Sequence, residues 1–420
     1  MKKNKNKKII FCKRCLYGSE HPLGIIIDDQ GICSGCKIHE EKDNIFWPDR
    51  WKKLVKLIND YRSKQNKYYD CIIPVSGGQD SYFIVHVVKN LLKMNPLLVC
   101  YNKYWNTPVG VKNLSNLRIQ FNCDIIFQNV NPIKVKKITK ASLYKFGSVY
   151  WHCLAGHSVF PVQLSIKYKI PLIIWGAHQG LEQVGMYSHY NDVEMNRRYR
   201  KDHDLMGYDV ENLISSSDIL NESDLFQYIY PDDYELNKNS TRGVYLGNYI
   251  RWDVKKQHEL MIKKFKYKTY KFNRTIDRYD YVDSFNYMNL HDKIKLYKHG
   301  YSKITDQMCR EIRFKRIDRN TALKIVRFYE NKKSLFEKNF CEWLGIRDKS
   351  LDYLLDTFKN KKFWQQKDVD QWIFKGMSKQ NKFIKKKKKN KLKYQSNSLL
   401  KKGSSYITFG KGMSEFDEIL

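Results

Sequence analysis

The sequence predicts an α/β fold: a parallel sheet preceded by a four-cysteine module and followed by a mainly helical region. Three observations predict it. Short apolar runs at Cys71–Val75, Leu97–Tyr101, Asp124–Phe127 and Pro171–Gly176 alternate with segments of helical pattern, as in a buried parallel sheet. Cys12, Cys15, Cys33 and Cys36 form C-x2-C-x17-C-x2-C ahead of the first run. Beyond residue 250 the pattern up to residue 375 reads as mostly helical.

The elements follow in order. In residues 1–45 each C-x2-C turn offers two sulfurs to one tetrahedral ion, and Ile25-Ile26-Ile27 with Asp28–Gly31 reads as a strand and turn between them. Four thiolates leave no open coordination position, so the ion is expected to be structural zinc. Two disulfides, disfavoured in a reducing compartment, and an iron–sulfur cluster are the alternatives. Residues 46–66 read as a linker helix and residues 67–250 as the sheet domain, with an acidic insertion or mobile cover at 201–235 that includes Ser215-Ser216-Ser217. Of the remaining cysteines, Cys71, Cys100 and Cys123 read as core residues, and Cys153 is the best-placed candidate for a reactive thiol. Residues 376–420 are expected to be a disordered lysine-rich tail, apart from a docking segment at Tyr406–Phe409.

The most informative segment follows the first strand. Ser76-Gly77-Gly78-Gln79-Asp80-Ser81 precedes a strongly apolar helix containing Tyr82, Phe83, Val85, Val87, Val88, Leu91 and Leu92. A strand, a glycine turn and a helix N-terminus form an anion site: the glycines admit a phosphate and unpaired N–H groups receive its charge. Ser76 and Ser81 add hydroxyls, and Asp80 can hold magnesium. The alternative is a tight turn with an Asp cap. Helices near 110–121, 132–146 and 156–168 continue the alternation. Ligands of open α/β sheets bind beyond the strand C-termini, which places Ser76–Ser81, Tyr101-Asn102 and Gly176-Ala177-His178 along one rim.

The loop SGGQDS resembles the SGGxDS loop of the ATP pyrophosphatase (PP-loop) superfamily, whose members cleave ATP to AMP and pyrophosphate while adenylating an oxygen. That resemblance implies adenine and ribose near Val75, Tyr101 and Gly176, with pyrophosphate on Ser76, Gly77, Gly78 and Ser81. Gln79 stands where many members carry Lys, so one phosphate charge must be neutralised elsewhere. A finer resemblance is to the N-acetyl sugar amidotransferases of lipopolysaccharide or flagellar sugar biosynthesis. It rests on the cysteine module, IIPVSGGQDS, YWHCLAGHSVFP (Tyr150–Pro161), WGAHQGLEQVG (Trp175–Gly185), YLGNYIRWD (Tyr245–Asp253) and Leu290–Arg313.

The implied reaction adenylates an acetamido oxygen with ATP and magnesium, then replaces that oxygen with ammonia. Asp80 and Ser81 serve the phosphates, and His152, His157, His178 and Glu182 are the candidate bases. Arg310, Arg313 and Arg316 recur every three residues and are expected either to line one helix face that grips substrate phosphates or to form a solvated face. Trp151, Trp252-Asp253 and His291-Asp292 are substrate contacts by resemblance. No glutaminase signature is visible, so the resemblance implies a separate glutaminase–synthase pair as ammonia source.

Composition constrains the rest. With 77 Lys+Arg against 44 Asp+Glu the net charge is +33, which invites a nucleic-acid reading. Yet residues 151–250 carry 8 basic and 13 acidic residues, while residues 382–402 carry ten Lys and no acid. The excess therefore lies outside the central segment and argues poorly for a nucleic-acid substrate. The apolar stretch after the basic N-terminus is too short for a signal-peptide core and no transmembrane run is found, so a cytoplasmic address is expected. Two rivals remain: a PP-loop tRNA-thiolating enzyme, which generally needs further clustered cysteines, and a zinc-stabilised binding protein with an inactive loop.

Overall fold

The computed structural model describes residues 9–63, 68–214, 220–280, 282–283, 286–368 and 371–377, with only the backbone at 286 and 287. The expectations placed on Ser215–Ser217, on the lysine-rich segment and on Tyr406–Phe409 lie outside the described residues. The core is a five-stranded parallel sheet in the order β3-β2-β1-β4-β5, with β1 Cys71–Pro74, β2 Pro96–Tyr101, β3 Ile125–Gln128, β4 Leu172–Trp175 and β5 Arg242–Tyr245.

Alternation along the strands divides the core in two. Ile72, Leu97, Val99 and Ile173 face Val159, Phe160, Val162 and Leu164 of helix α6 (Trp151–Tyr168). Cys71, Ile73, Val75, Leu98, Cys100, Leu172 and Ile174 face the other way. That second face is covered from α2 (Trp47–Asn59) by Leu54 and Ile58, from α3 (Gln79–Val85) by Tyr82 and Val85, and from α4 (Pro108–Phe121) by Leu114 and Leu117. Helix α3 continues as a π-helical turn through Leu91. Capping fixes the crossovers. Thr107 caps α4 by accepting from the Gly110 N–H, with Pro108 at the first turn and Asn122 in the left-handed conformation at the end. Asn131, Pro132 and Gly147 do the same for α5 (Pro132–Phe146).

Several elements differ from their expected form. Helix α6 starts at Trp151, five residues before the expected 156, because the Tyr150 carbonyl already accepts from the Cys153 and Leu154 N–H groups. Ile25–Ile27 yields only a single bridge, Ile27 with Cys33, closed by a turn with Gly31 at φ +81. The described residues between β4 and β5 include the short α-helices α7 Arg197–Tyr199, α8 Val210–Ile214, α9 Glu222–Leu225 and α10 Asp233–Lys238, with π- and 3-10 turns among them. The described part of the acidic stretch is packed: Leu213, Leu220, Leu225 and Tyr228 join Tyr101, Trp151 and Ala155 in one apolar cluster. These apolar residues stand among the acidic ones and bury against the sheet side.

Helices α1 (Ser34–Asn44), α11 (Val254–Phe265), α12 (Asn286–His299), α13 (Lys303–Arg313), α14 (Arg319–Glu330), α15 (Glu337–Leu344) and α16 (Asp348–Thr357) complete the chain, with an antiparallel hairpin β6–β7 (Trp364–Asp368, Gln371–Phe374). No described helix is long and apolar enough to cross a membrane.

Candidate functional site

Strand order reverses between β1 and β4, and the crevice beyond the C-termini of such strands is where open α/β sheets bind ligands. The loop Ser76–Ser81 leaves β1 at this point and enters α3, whose N-cap is Gly78 with no side chain capping it. The Ser76 N–H donates to Ser81 Oγ at 2.8 Å and the Gly78 N–H to Ser76 Oγ at 3.1 Å, so the two serines set the loop's shape. A Cβ on Gly77 would meet the Gly110 carbonyl oxygen at 2.1 Å, so only glycine fits where the loop touches the first turn of α4. Asp80 leaves this loop half-exposed, its Oδ1 3.3 Å from Nε2 of the fully buried His258 on α11.

His258 escaped sequence reading, because an isolated histidine in an amphipathic helix carries no local signal. So did the segment that follows α11. Gln79 donates to Asp280 Oδ1 at 3.2 Å, and Asp283 is lodged against Gly78 and Gly110, its carboxylate paired with Lys103 from the rim after β2. Asn113 ties the two sides together, accepting from the Lys268 N–H at 2.9 Å and donating to the Lys268 carbonyl at 2.9 Å. Burial pushes the Asp280 carboxyl up, but Lys303, Arg274 and Arg310 outweigh it and hold the group below its ordinary value. Asp277, half-buried and beside Asp280, is pushed the other way by desolvation and by that neighbour.

The remaining candidates disperse around the rim. Val75 is buried in the core, with its N–H on the Val99 carbonyl. Gly176 sits under Trp252 and Ile84, either of which a Cβ would meet at 3.0 Å. The Tyr101 hydroxyl is shared between His152 Nδ1 at 3.0 Å and the Tyr228 hydroxyl at 2.8 Å, a chain enclosed between sheet and α6. Trp151 donates its indole N–H to the Tyr208 carbonyl, which anchors the acidic stretch. Burial alone holds His152 at about 3, and burial holds His157, edge-on to Trp175, at about 4. His178, directly beyond β4, is 1% exposed and lies in an aromatic box of Tyr187, Tyr199 and Tyr245. Among the described residues neither ring nitrogen has a hydrogen-bond partner, and burial lowers His178 to about 3. His291 lies near the Tyr150 ring, also held at about 3 by burial.

The three arginines do not share a face. Helix α13 ends at Arg313, whose side chain parts from the other two. Arg310 approaches Glu311, Arg313 donates to the carbonyls of Glu182 and Gln183, and Arg316 pairs with Asp253 and Glu311. Arg313 is thus a clamp between elements. Glu182 pairs with the fully buried Lys42 of α1, whose ammonium also reaches the Trp252 carbonyl at 3.3 Å.

The four module cysteines converge. Their sulfurs all lie within 4.8 Å of one another and all four residues are buried. Cys12 Sγ accepts from the N–H groups of Arg14, Cys15 and Cys33 at 3.3–3.4 Å, a second shell that favours thiolate. The thiols of Cys15, Cys33 and Cys36 are pushed up, most of all by the neighbouring Cys12. A divalent cation can take the place of the protons these sulfurs share, so the donor set fits one thiophilic ion such as zinc and is too tight for a multi-iron cluster. The module docks on α13 and α14: Arg319 donates to the carbonyls of Cys15 and Cys12, Tyr17 to Asp306, and the Leu16 N–H to Cys309 Sγ. Among the described residues no second group of this kind occurs.

Comparison with known proteins bears on the region that supplies His258, Asp280, Asp283 and α13. Residues 256–379 match the family described as "LPS biosynthesis protein WbpG-like, C-terminal domain". The match likens this part of the chain to the C-terminal domain of a protein of LPS biosynthesis. The chain is also 26% identical over 118 residues to an uncharacterized protein of Methanocaldococcus jannaschii. That alignment covers 28% of this chain and spans 42% of the relative's length.

Proposed function

We propose that the protein is a PP-loop, ATP-dependent, AMP-forming amidotransferase that converts an acetamido group of a nucleotide-activated sugar to an acetamidino group, for surface polysaccharide or flagellin glycan. The observation that carries this reading is the glycine loop Ser76–Ser81 at the β1–β4 switch point. The WbpG-like match over residues 256–379 supplies the sugar context.

The chemistry is economical. An amide carbon is a poor electrophile, so its oxygen attacks the α-phosphorus of ATP, forming a P–O bond while pyrophosphate leaves. Ammonia adds to the resulting O-adenylyl imidate, gives up a proton, and the C–O bond breaks to release AMP. The uncapped first turn of α3 and the Ser76 and Ser81 hydroxyls receive phosphate charge. Asp80, steered by His258, is the ligand for magnesium, which supplies further neutralisation when bound. His178 and Glu182 are the candidate bases at the β4 rim. A histidine held at about 3 accepts no proton at neutral pH until its aromatic box opens. Zinc in the cysteine module is structural, and the ATP and nucleotide-sugar substrates place the reaction in the cytoplasm.

Ammonia is scarce at neutral pH, so a separate glutaminase–synthase pair is the proposed source. Purified protein that makes amidine at full rate from glutamine alone would remove that partnership. The reaction itself is tested by incubation with ATP, magnesium, ammonium and an N-acetylated nucleotide sugar, followed for AMP and a product ~1 Da lighter. AMP formation that requires bulk tRNA instead would favour the thiolating reading.

A further inference from the structure

The loop Ser76–Ser81 carries no cation of its own, and its Asp80 adds negative charge. A carboxylate nevertheless sits in its mouth. Asp283 Oδ1 stands 3.3 Å from where a Gly78 Cβ would be, and the Asp283 Cα lies 2.4 Å from the corresponding point on Gly110. Asp283 is held there by its backbone: its carbonyl accepts from the Thr107 N–H at 3.2 Å, and the Val282 carbonyl accepts from Thr107 Oγ1. Its other carboxylate oxygen, Oδ2, accepts from Lys103 Nζ.

Lys103 follows β2 on the same rim, its side chain 11% exposed against 5% for Asp283. Such a pair pays a large desolvation cost, offset by close mutual attraction. Loop, carboxylate and ammonium are therefore in one contact sequence, and an anion that enters the loop must displace the carboxylate.

Resting on the proposed nucleotide-binding reading of the loop, we propose that Lys103 supplies the phosphate-neutralising cation missing at Gln79, and that Asp283 is its counter-ion until phosphate displaces it. The two residues then act with opposite sign. Lys103 favours phosphate binding, and Asp283 competes with it. Asp280, close by in sequence, accepts from Gln79 of the same loop.

The test is calorimetric titration of the full-length, metal-loaded protein with magnesium and α,β-methylene ATP. Lys103→Met is expected to weaken binding roughly tenfold or more, the scale of a lost charge-assisted contact. Lys103→Arg is expected to retain most of the affinity, and Asp283→Asn to tighten binding roughly threefold by removing the competitor. A merely structural pair would make Lys103→Met and Asp283→Asn fail together, and that result overturns the assignment. So does unchanged binding in both. If Lys103→Met does not fold, the Asp283→Asn titration decides alone: tightening supports the assignment, and unchanged or weaker binding overturns it. Wild-type protein that binds no nucleotide sinks the loop reading along with it, whereas nucleotide binding indifferent to both residues sinks this assignment alone.

Discussion

Gly77 has the tightest surroundings in the loop, with the Gly110 carbonyl 2.1 Å from any added Cβ. Gly77→Ala must push α4 away from the β1 terminus. It is expected to cost about 1–3 kcal/mol in urea unfolding, the range of an overpacked core, and to abolish turnover. Asp80 offers a cleaner separation of chemistry from folding, since its side chain is 46% exposed. Asp80→Ala is predicted to leave the unfolding midpoint nearly unchanged while slowing AMP formation at least about a hundredfold. Intact AMP production would remove the magnesium assignment. The loop was legible in the sequence because its signal is local. His258, Lys103 and Asp283 were not, because their importance arises only when α11, the β2 rim and the strap after α11 meet.

Helix α1 and the turn after β4 show how elements are coupled. Lys42 is fully buried, and among the described residues its carboxylate partner is Glu182, 15% exposed, on the turn that follows His178. Burial lowers Lys42, and Glu182 pulls it partly back. Glu182→Gln leaves a buried ammonium without its counter-charge and is expected to destabilise by about 3 kcal/mol. Lys42→Met leaves a carboxylate that can reach water and should cost less. Equal losses in the two denaturation curves would show that the pair's burial is not what governs the turn. The cysteine module adds a metal test: one zinc per chain by elemental analysis, lost in Cys33→Ser together with several degrees of thermal midpoint. Four strands were legible from their apolar runs. The fifth, Arg242–Tyr245, was not, because it is short and its Arg and Gly obscure the pattern. For Arg310, Arg313 and Arg316 the regular spacing left a phosphate-gripping face and a solvated face open; the helix ends at Arg313, which clamps neighbouring carbonyls, while Arg310 and Arg316 both approach Glu311.

At the scale of the whole molecule, buried neutral histidines set the response to acid. His21, His152, His178 and His291 are each lowered to about 3, chiefly by burial. Between that value and the unfolded value near 6.5 the unfolded chain binds more protons than the folded one, so stability falls as pH falls through this window. Each such histidine contributes up to about 1.4 kcal/mol per pH unit, so the urea midpoint should drop steeply from pH 6.5 to 5. A flat profile over that range would mean that these rings are hydrated. The net charge of +33 offers no comparable guide, since ten Lys of residues 382–402 weigh on it while residues 151–250 are net acidic. The most direct test of the central claim is AMP release from ATP in the presence of magnesium, ammonium and an N-acetylated nucleotide sugar. The account predicts AMP formed one-for-one with an acetamidino sugar and absent when the sugar is omitted. AMP that depends on tRNA and ignores the sugar would contradict it.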